Sequence, residues 1–363
     1  MELEALVERA EKLVPEIAER ALETERLREL PRANVDALVE SGLTRALQPQ
    51  AFGGSGLGAL AHVTLTRTLA HGCVSTAWCQ FVWSAHNRLL ALYPERAQEE
   101  VWDDPKALIA ASLGPVGQAR RVDGGYRLSG RWTFASGCDA AGWLMLGAST
   151  EVDGAPAPIL ACVPKCEVEI VDTWHVSGLR GTGSKDVSAA DVFVPEHRAA
   201  SWISTVAEHQ GFAVAVIAGP VLGGAEAAVG RFRQRLAGRV LVTMKKQQDM
   251  GSAKKRLAES AAEVEAARLL LERACGEIDA CLAAGRLATP AETVRWIRDT
   301  AFCAELGTRA TQRIFEASGG GALQESEPIQ RIWRDVNAGH AHAFLNWDDA
   351  AEGWAGFDLD GGL

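Results

Sequence analysis

The apolar residues of this chain keep two different rhythms, and the switches between them divide it into three stretches. Over residues 3–43 they recur at helical spacing, as in Leu13, Ile17 and Ala21 and again in Val35, Leu38 and Val39. Pro31 suits the first turn of a second helix. The run Phe52-Gly53-Gly54-Ser55-Gly56 predicts a turn, after which helical character resumes over 60–92 and 94–102. Between about 108 and 206 the texture changes. Short apolar runs at 126–128, 143–146, 159–163 and 168–171 are separated by Gly, Pro and Asp-Gly, which is the spacing of strands and turns. Asp123-Gly124-Gly125 and Asp153-Gly154 have the composition of hairpin connections. Helical patterning returns after Glu208 and covers 211–239, 254–287, 291–318 and 328–347, with Pro220 as an internal kink or a start.

Helices, then strands, then helices is an α+β order and not an alternating βαβ one. It predicts an N-terminal α-helical domain over 1–107, a barrel-like middle β domain over 108–206 and a C-terminal helical bundle over 207–363. At 363 residues, 47% hydrophobic and 23% charged, the composition is that of a soluble enzyme with a sizeable core. A net charge of -10 argues against nucleic acid or an anionic membrane as the main partner. No run of eighteen apolar residues exists, and the acidic, amphipathic N-terminus lacks the basic start and apolar core of a signal peptide. A cytoplasmic location is expected.

Eight cysteines are scattered along the chain with no Cys-x-x-Cys pair, and Cys162 and Cys166 have no second half to complete a zinc site. Free thiols and no metal are expected. No Gly-x-Gly-x-x-Gly follows an N-terminal strand, so a built-in nicotinamide site is unsupported.

The residues that point to chemistry cluster near the C-terminus. Ser318-Gly319-Gly320-Gly321 lets backbone approach a ligand closely, and is followed by Pro328, the pair Arg334-Asp335, and the titratable His342. This order resembles the C-terminal signature of the acyl-CoA dehydrogenase superfamily. Further resemblances stand in the same order along the chain: residues 31–56, the segment Ser129-Gly130-Arg131-Trp132-Thr133-Phe134-Ala135-Ser136-Gly137, the segment 178–184 followed by Val192-Phe193-Val194-Pro195, and Ala266-Ala267-Arg268. The resemblance implies that family's fold, with a C-terminal four-helix bundle. The fuller wording of 132–139, of 172–184, and of Arg334-Asp335 with His342 and Asn346-Trp347-Asp348 is similar to the two-component flavin-dependent monooxygenases, the group D or aromatic-hydroxylase branch.

That branch implies an oxygenase component. It would take reduced flavin (FADH2 or FMNH2) from a separate NAD(P)H:flavin reductase and use it with O2, through a C4a-hydroperoxyflavin, on a small aromatic substrate. It also implies a homotetramer. By position, Ser136 is the partner of flavin N5 and Phe134 an aromatic that packs on the ring. His342 is the acid or base, and His86 a substrate contact. For the flavin phosphates, Gly319, Gly320, Arg239 and Ser112 are candidates. Residue by residue, Ser136 also reads as a turn serine and Phe134 as a core strand residue. His340 is expected at the surface.

Two other readings stand beside this one. An acyl-CoA dehydrogenase needs a carboxylate base, but the usual position holds Ala343, the alternative position falls near Phe212, and no acid occurs between Gly211 and Gly224. A non-catalytic assembly protein on the same scaffold is the third.

Overall fold

The computed structural model describes residues 2–152, 154–238 and 246–362, so Asp153 and Arg239 lie outside the described residues. Six helices come first: α1 Glu2–Glu19, α2 Ala21–Leu27, α3 Arg32–Glu40, α4 Ala59–Ala70, α5 Val74–Leu90 and α6 Glu95–Trp102. Leu6, Ala10 and Ile17 form the buried stripe of α1, at the spacing that returns to one helix face. Pro31 precedes the first turn of α3. The single helical stretch expected over 60–92 is two helices, broken at His71-Gly72-Cys73. A Cβ on Gly72 would press on Val14 O and Ile17 of α1, so the break lets α1 lie against the chain there.

Nine strands follow: β1 Ile109–Val122, β2 Gly125–Ala135, β3 Trp143–Ser149, β4 Glu151–Val152, β5 Ala155–Pro156, β6 Ile159–Pro164, β7 Glu169–Val171, β8 Lys185–Pro195 and β9 Ala199–Ser201. Seven of them form one sheet in the order β7-β8-β2-β1-β3-β6-β9, while β4 and β5 pair separately. Only β1 and β3 run parallel within the large sheet. The β1–β2 hairpin turns at Gly124, whose φ of 74° explains the glycine of Asp123-Gly124. β7 and β9 are the two edges, yet β6 approaches β8 across the curl, which gives the barrel-like shape.

The last stretch holds α7 Gln210–Gly238, α8 Gly251–Ala283, α9 Pro290–Ser318, α10 Pro328–His340 and α11 Trp347–Leu359. The first four pack together, and α11 lies on α9. α9 opens on a capping box of Thr289 and Glu292 with Pro290 behind it. Pro220 sits inside α7 without ending it. α7 is long and apolar enough to cross a bilayer, at a mean hydropathy of 1.8, but 89% of that window is buried within the protein. Its apolarity serves the core. Glycines 219 and 223 let α4 close on it, since a Cβ at either would run into Thr66 or the backbone of Arg67. The helix expected over 328–347 ends at His340, which frees His342 to adopt non-helical backbone.

One continuous hydrophobic core crosses all three stretches, from Ile17 and Trp83 through Trp132 and Val187 to Phe232, Ile278 and Ile314. All eight cysteines are free, and only Cys166 is exposed.

Candidate active site

The site is assembled where β2 ends. Gly117, Gly130 and the buried Trp132 crowd one another there, and the pairing of β2 with β8 slips between Trp132 and Ala135. A slip of this kind re-aims the side chains that follow it. Phe134 is driven to φ 63°, a left-handed conformation that costs a non-glycine residue roughly 1–3 kcal/mol. Its ring points outward, 68% exposed, with Trp174 edge-on at 5.9 Å. The core-strand reading of Phe134 is therefore wrong. A bulky aromatic held strained and uncovered has no role in the packing of this chain.

Ser136 comes next and turns inward. Its Oγ lies 2.7 Å from Ser184 Oγ and accepts the indole N–H of Trp78 at 3.2 Å. The Trp78 ring in turn stands 6.0 Å from the imidazole of His342. One side chain from α5 thus stands between the serine just past β2 and the histidine beyond α10.

His342 caps the short turn Ala343–Leu345, its Nδ1 accepting from Phe344 N at 3.2 Å. In the neutral ring that bond puts the hydrogen on Nε2, which is left to face a ligand as a donor. Burial holds the ring below the usual imidazole range, so it stays neutral near pH 7. His340 is not a free surface residue: it is half-buried beside Glu305, with Nε2 3.7 Å from the carboxylate.

His86 is 8% exposed, with Nδ1 2.7 Å from Ile109 O, a carbonyl that only accepts. Burial pushes its pKa down to about 4, so it is neutral with its proton on Nδ1. Ser112, three residues along β1, donates to Thr133 O at 2.9 Å, immediately before Phe134. Ser112, Phe134 and Ser136 therefore meet at one end of the β1–β2 pair. Gly319 and Gly320 do not join them. They form an exposed turn between α9 and α10, Gly319 at φ 65°, and a Cβ on Gly320 would meet nothing. Within one chain, nothing demands glycine at 320.

The structure gives roles to residues that sequence reasoning passed over or named only within a motif. Trp78 and Ser184 bind Ser136 directly, and Thr182 stands behind Ser184. Asp335, 4% exposed, accepts from Leu179 N at 2.7 Å and anchors that loop to α10, and burial raises its pKa to about 6. His62 on α4 is wholly buried beside Phe81, with neither ring nitrogen bonded to any described residue. Thr182 and Ser184 fell inside a motif whose spacing was legible. For Trp78 and His62 no sequence signal existed.

Relatives of the chain are found along nearly its whole length. The acyl-CoA dehydrogenase N-terminal domain model matches residues 1–102 and the C-terminal domain model residues 215–347. The chain is 38% identical to the flavin-dependent monooxygenase oxygenase subunit HsaA of Mycobacterium tuberculosis, over 91% of this chain and 89% of that one. It belongs to the oxygenase subunits of the flavin-dependent monooxygenases. It is also 36% identical to the oxygenase component of an FADH2-dependent resorcinol hydroxylase from a Rhizobium species, over 90% and 87% of the two chains. Among solved structures, HsaA of M. tuberculosis superposes with a TM-score of 0.91 at 36% identity, covering 99% and 98% of the chains. XiaF from a Streptomyces species, in complex with FADH2 and glycerol, gives 0.94 at 30% identity, covering 99% and 96%.

The chain is accordingly the oxygenase of a two-component system and uses reduced flavin. Its residues fit that cofactor. The uncovered Phe134 ring offers a flat apolar face, and Ser136, two residues further along the chain, keeps one unfilled lone pair. The dehydrogenase reading finds no base at either of its two positions among the described residues. Phe212 is buried, and Glu226, the first acid after it on α7, is held by Arg67 at 2.5 Å.

Proposed function

We propose that this chain hydroxylates a phenol-type or indole-type aromatic ring, and that Ser136 and His342 face the reacting groups from two sides of Trp78. Reduced flavin supplies the two electrons that cleave O2: one oxygen atom enters the ring as a hydroxyl, and the other leaves as water. The residues do the remaining work. Phe134 packs on the flavin ring, and Ser136 takes the hydrogen-bonding group at N5. Ser112 steadies the strand end that carries both. His342, neutral with its hydrogen on Nε2, donates a hydrogen bond to the substrate hydroxyl and orients it. His86 lines the same pocket, with Nε2 as an acceptor for the substrate's far edge. The Trp78, Phe81 and Phe344 rings packed around His342 and one another make these surroundings apolar, which disfavours the water that would divert oxygen to hydrogen peroxide.

The observation that carries this reading is the Trp78 indole, which bonds Ser136 Oγ and lies 6.0 Å from the His342 ring at once. Gly319 and Gly320, both exposed, suit a flavin tail brought by another subunit of a homotetramer, in which Arg239 would also take part. Light scattering of the purified protein tests that assembly. A separate NAD(P)H:flavin reductase supplies the cofactor.

The deciding experiment mixes the protein anaerobically with photoreduced flavin and a phenol or indole, then admits air. His342→Ala should lower hydroxylated product at least tenfold while reduced-flavin affinity stays within about twofold. Equal loss of both would make His342 structural. Ser136→Ala should convert the missing product into hydrogen peroxide, and an unchanged product-to-peroxide ratio would remove Ser136 from the site.

A further inference from the structure

Three hydroxyls stand in file at this site, and the group at the far end fixes which way their protons point. The Thr182 hydroxyl lies 2.8 Å from Leu179 O, and a carbonyl only accepts, so Thr182 donates there. A hydroxyl has one hydrogen to give. Thr182 Oγ1 must therefore accept from Ser184 Oγ, 2.7 Å away. Ser184, its hydrogen spent, must accept from Ser136 Oγ, also at 2.7 Å. Ser136 additionally receives the N–H of Trp78. With its hydrogen committed and one lone pair filled, Ser136 has one capacity left, and it is an acceptor's.

The origin of this order is firmly built. Leu179 O also accepts from Trp174 Nε1 at 3.0 Å and from Thr182 N at 3.2 Å. Leu179 itself stands at φ 51°, its N–H fixed on the buried Asp335. Ser136, Ser184 and Thr182 are 9%, 4% and 1% exposed, which keeps bulk water from re-sorting the bonds.

We propose that Thr182 and Ser184 are positioning residues that hold Ser136 as an acceptor and so make the site prefer reduced over oxidised flavin. This rests on the placement of flavin N5 at Ser136 given above. Reduced flavin carries a hydrogen on N5 and donates it; oxidised flavin presents a bare lone pair there. An oxidised ring in the same place sets lone pair against lone pair, unless the whole file reverses and deprives Leu179 O of the Thr182 hydrogen. The arrangement captures the cofactor a reductase delivers and expels it once spent, which a flavin shuttled between two proteins requires.

The test is the ratio of dissociation constants for oxidised and reduced flavin, measured anaerobically by flavin fluorescence and calorimetry without substrate. Thr182→Val keeps the shape and the Ser184–Ser136 bond but removes the directing hydroxyl. It should tighten oxidised flavin so that the ratio falls roughly 3- to 10-fold, the size of one ordinary hydrogen bond. The midpoint potential of bound flavin should move negative by up to about 30 mV for a tenfold change. Ser184→Ala should do the same, and Thr182→Ser should restore the wild-type ratio. Unfolding midpoints of the apo variants confirm that each is folded. If Thr182→Val and Ser184→Ala leave the ratio unchanged while Ser136→Ala alters it, the proposal fails and the N5 placement stands. If Ser136→Ala changes neither affinity, the placement fails, and the proposal with it.

Discussion

Replacing His62 with leucine should make the protein more resistant to acid, by an amount that follows from its surroundings. The imidazole is 0% exposed, has no described partner at either nitrogen, and is held at a pKa of about 3 by burial. In the unfolded chain the same ring titrates near 6.5. Its folded value is depressed, so between about pH 6.5 and 3 the unfolded state binds the extra proton and stability falls as pH falls. At one pKa unit per 1.36 kcal/mol, the loss on going from pH 7 to pH 5 is roughly 2 kcal/mol from this ring alone. Leucine removes the titration, together with two unsatisfied polar atoms that cost about 1–3 kcal/mol each at any pH. Urea titrations of both proteins at pH 7 and pH 5 should show the variant more stable at both, with the gap wider at pH 5 by roughly 2 kcal/mol. His86 titrates in both proteins and cancels from the comparison. Parallel pH dependences would refute the reasoning, because they would mean that His62 protonates without unfolding.

Other perturbations test the site directly. Asp335→Asn keeps an acceptor for Leu179 N while removing a carboxylate whose raised pKa costs stability as pH rises through 6; it should gain roughly 1–3 kcal/mol at pH 7 and retain flavin affinity, whereas Asp335→Leu should lose that affinity. Gly178→Ala would drive a methyl into Arg334 O and the Ala338 side chain, so denaturation should show a loss of at least ~1–3 kcal/mol, as expected for overpacking. Phe134→Gly relieves the strain at φ 63° and gives up little burial, so the apo protein should melt at the same or a higher temperature while flavin binding weakens. Because burial lowers the pKa of His342, turnover that depends on its neutral form should hold steady on acidification through pH 6.5 and decline only below it; His342→Gln should abolish that acid limb in a pH–rate profile.

Much of the fold could be read from periodicity. The helix-strand-helix order, the Gly124 hairpin and the amphipathic α1 all announce themselves through spacing, because each depends on residues close in sequence. Boundaries set by distant partners did not: the break at Gly72 exists for Val14 and Ile17, and the end of α10 at His340 shows only once His342 is seen capping its own turn. The site divides the same way. Ser136 and His342 stood out by resemblance, and the structure brings them to one indole. Trp78 carried no local mark, since its importance lies in what it touches 58 residues further on. The hydroxyl file is legible only with coordinates, since its direction follows from 2.7–2.8 Å contacts among Leu179, Thr182, Ser184 and Ser136.

The indole of Trp78 comes from the first helical stretch, the serine it bonds from the sheet, and the imidazole beside it from the closing segment. No one third of the polypeptide supplies all three groups of the proposed site. A chimera that swaps any one third for a relative's can fold around a shared core and still leave the three groups out of register. Transplanting a new substrate preference into this scaffold therefore means redesigning the seams between the thirds together with the lining of the pocket.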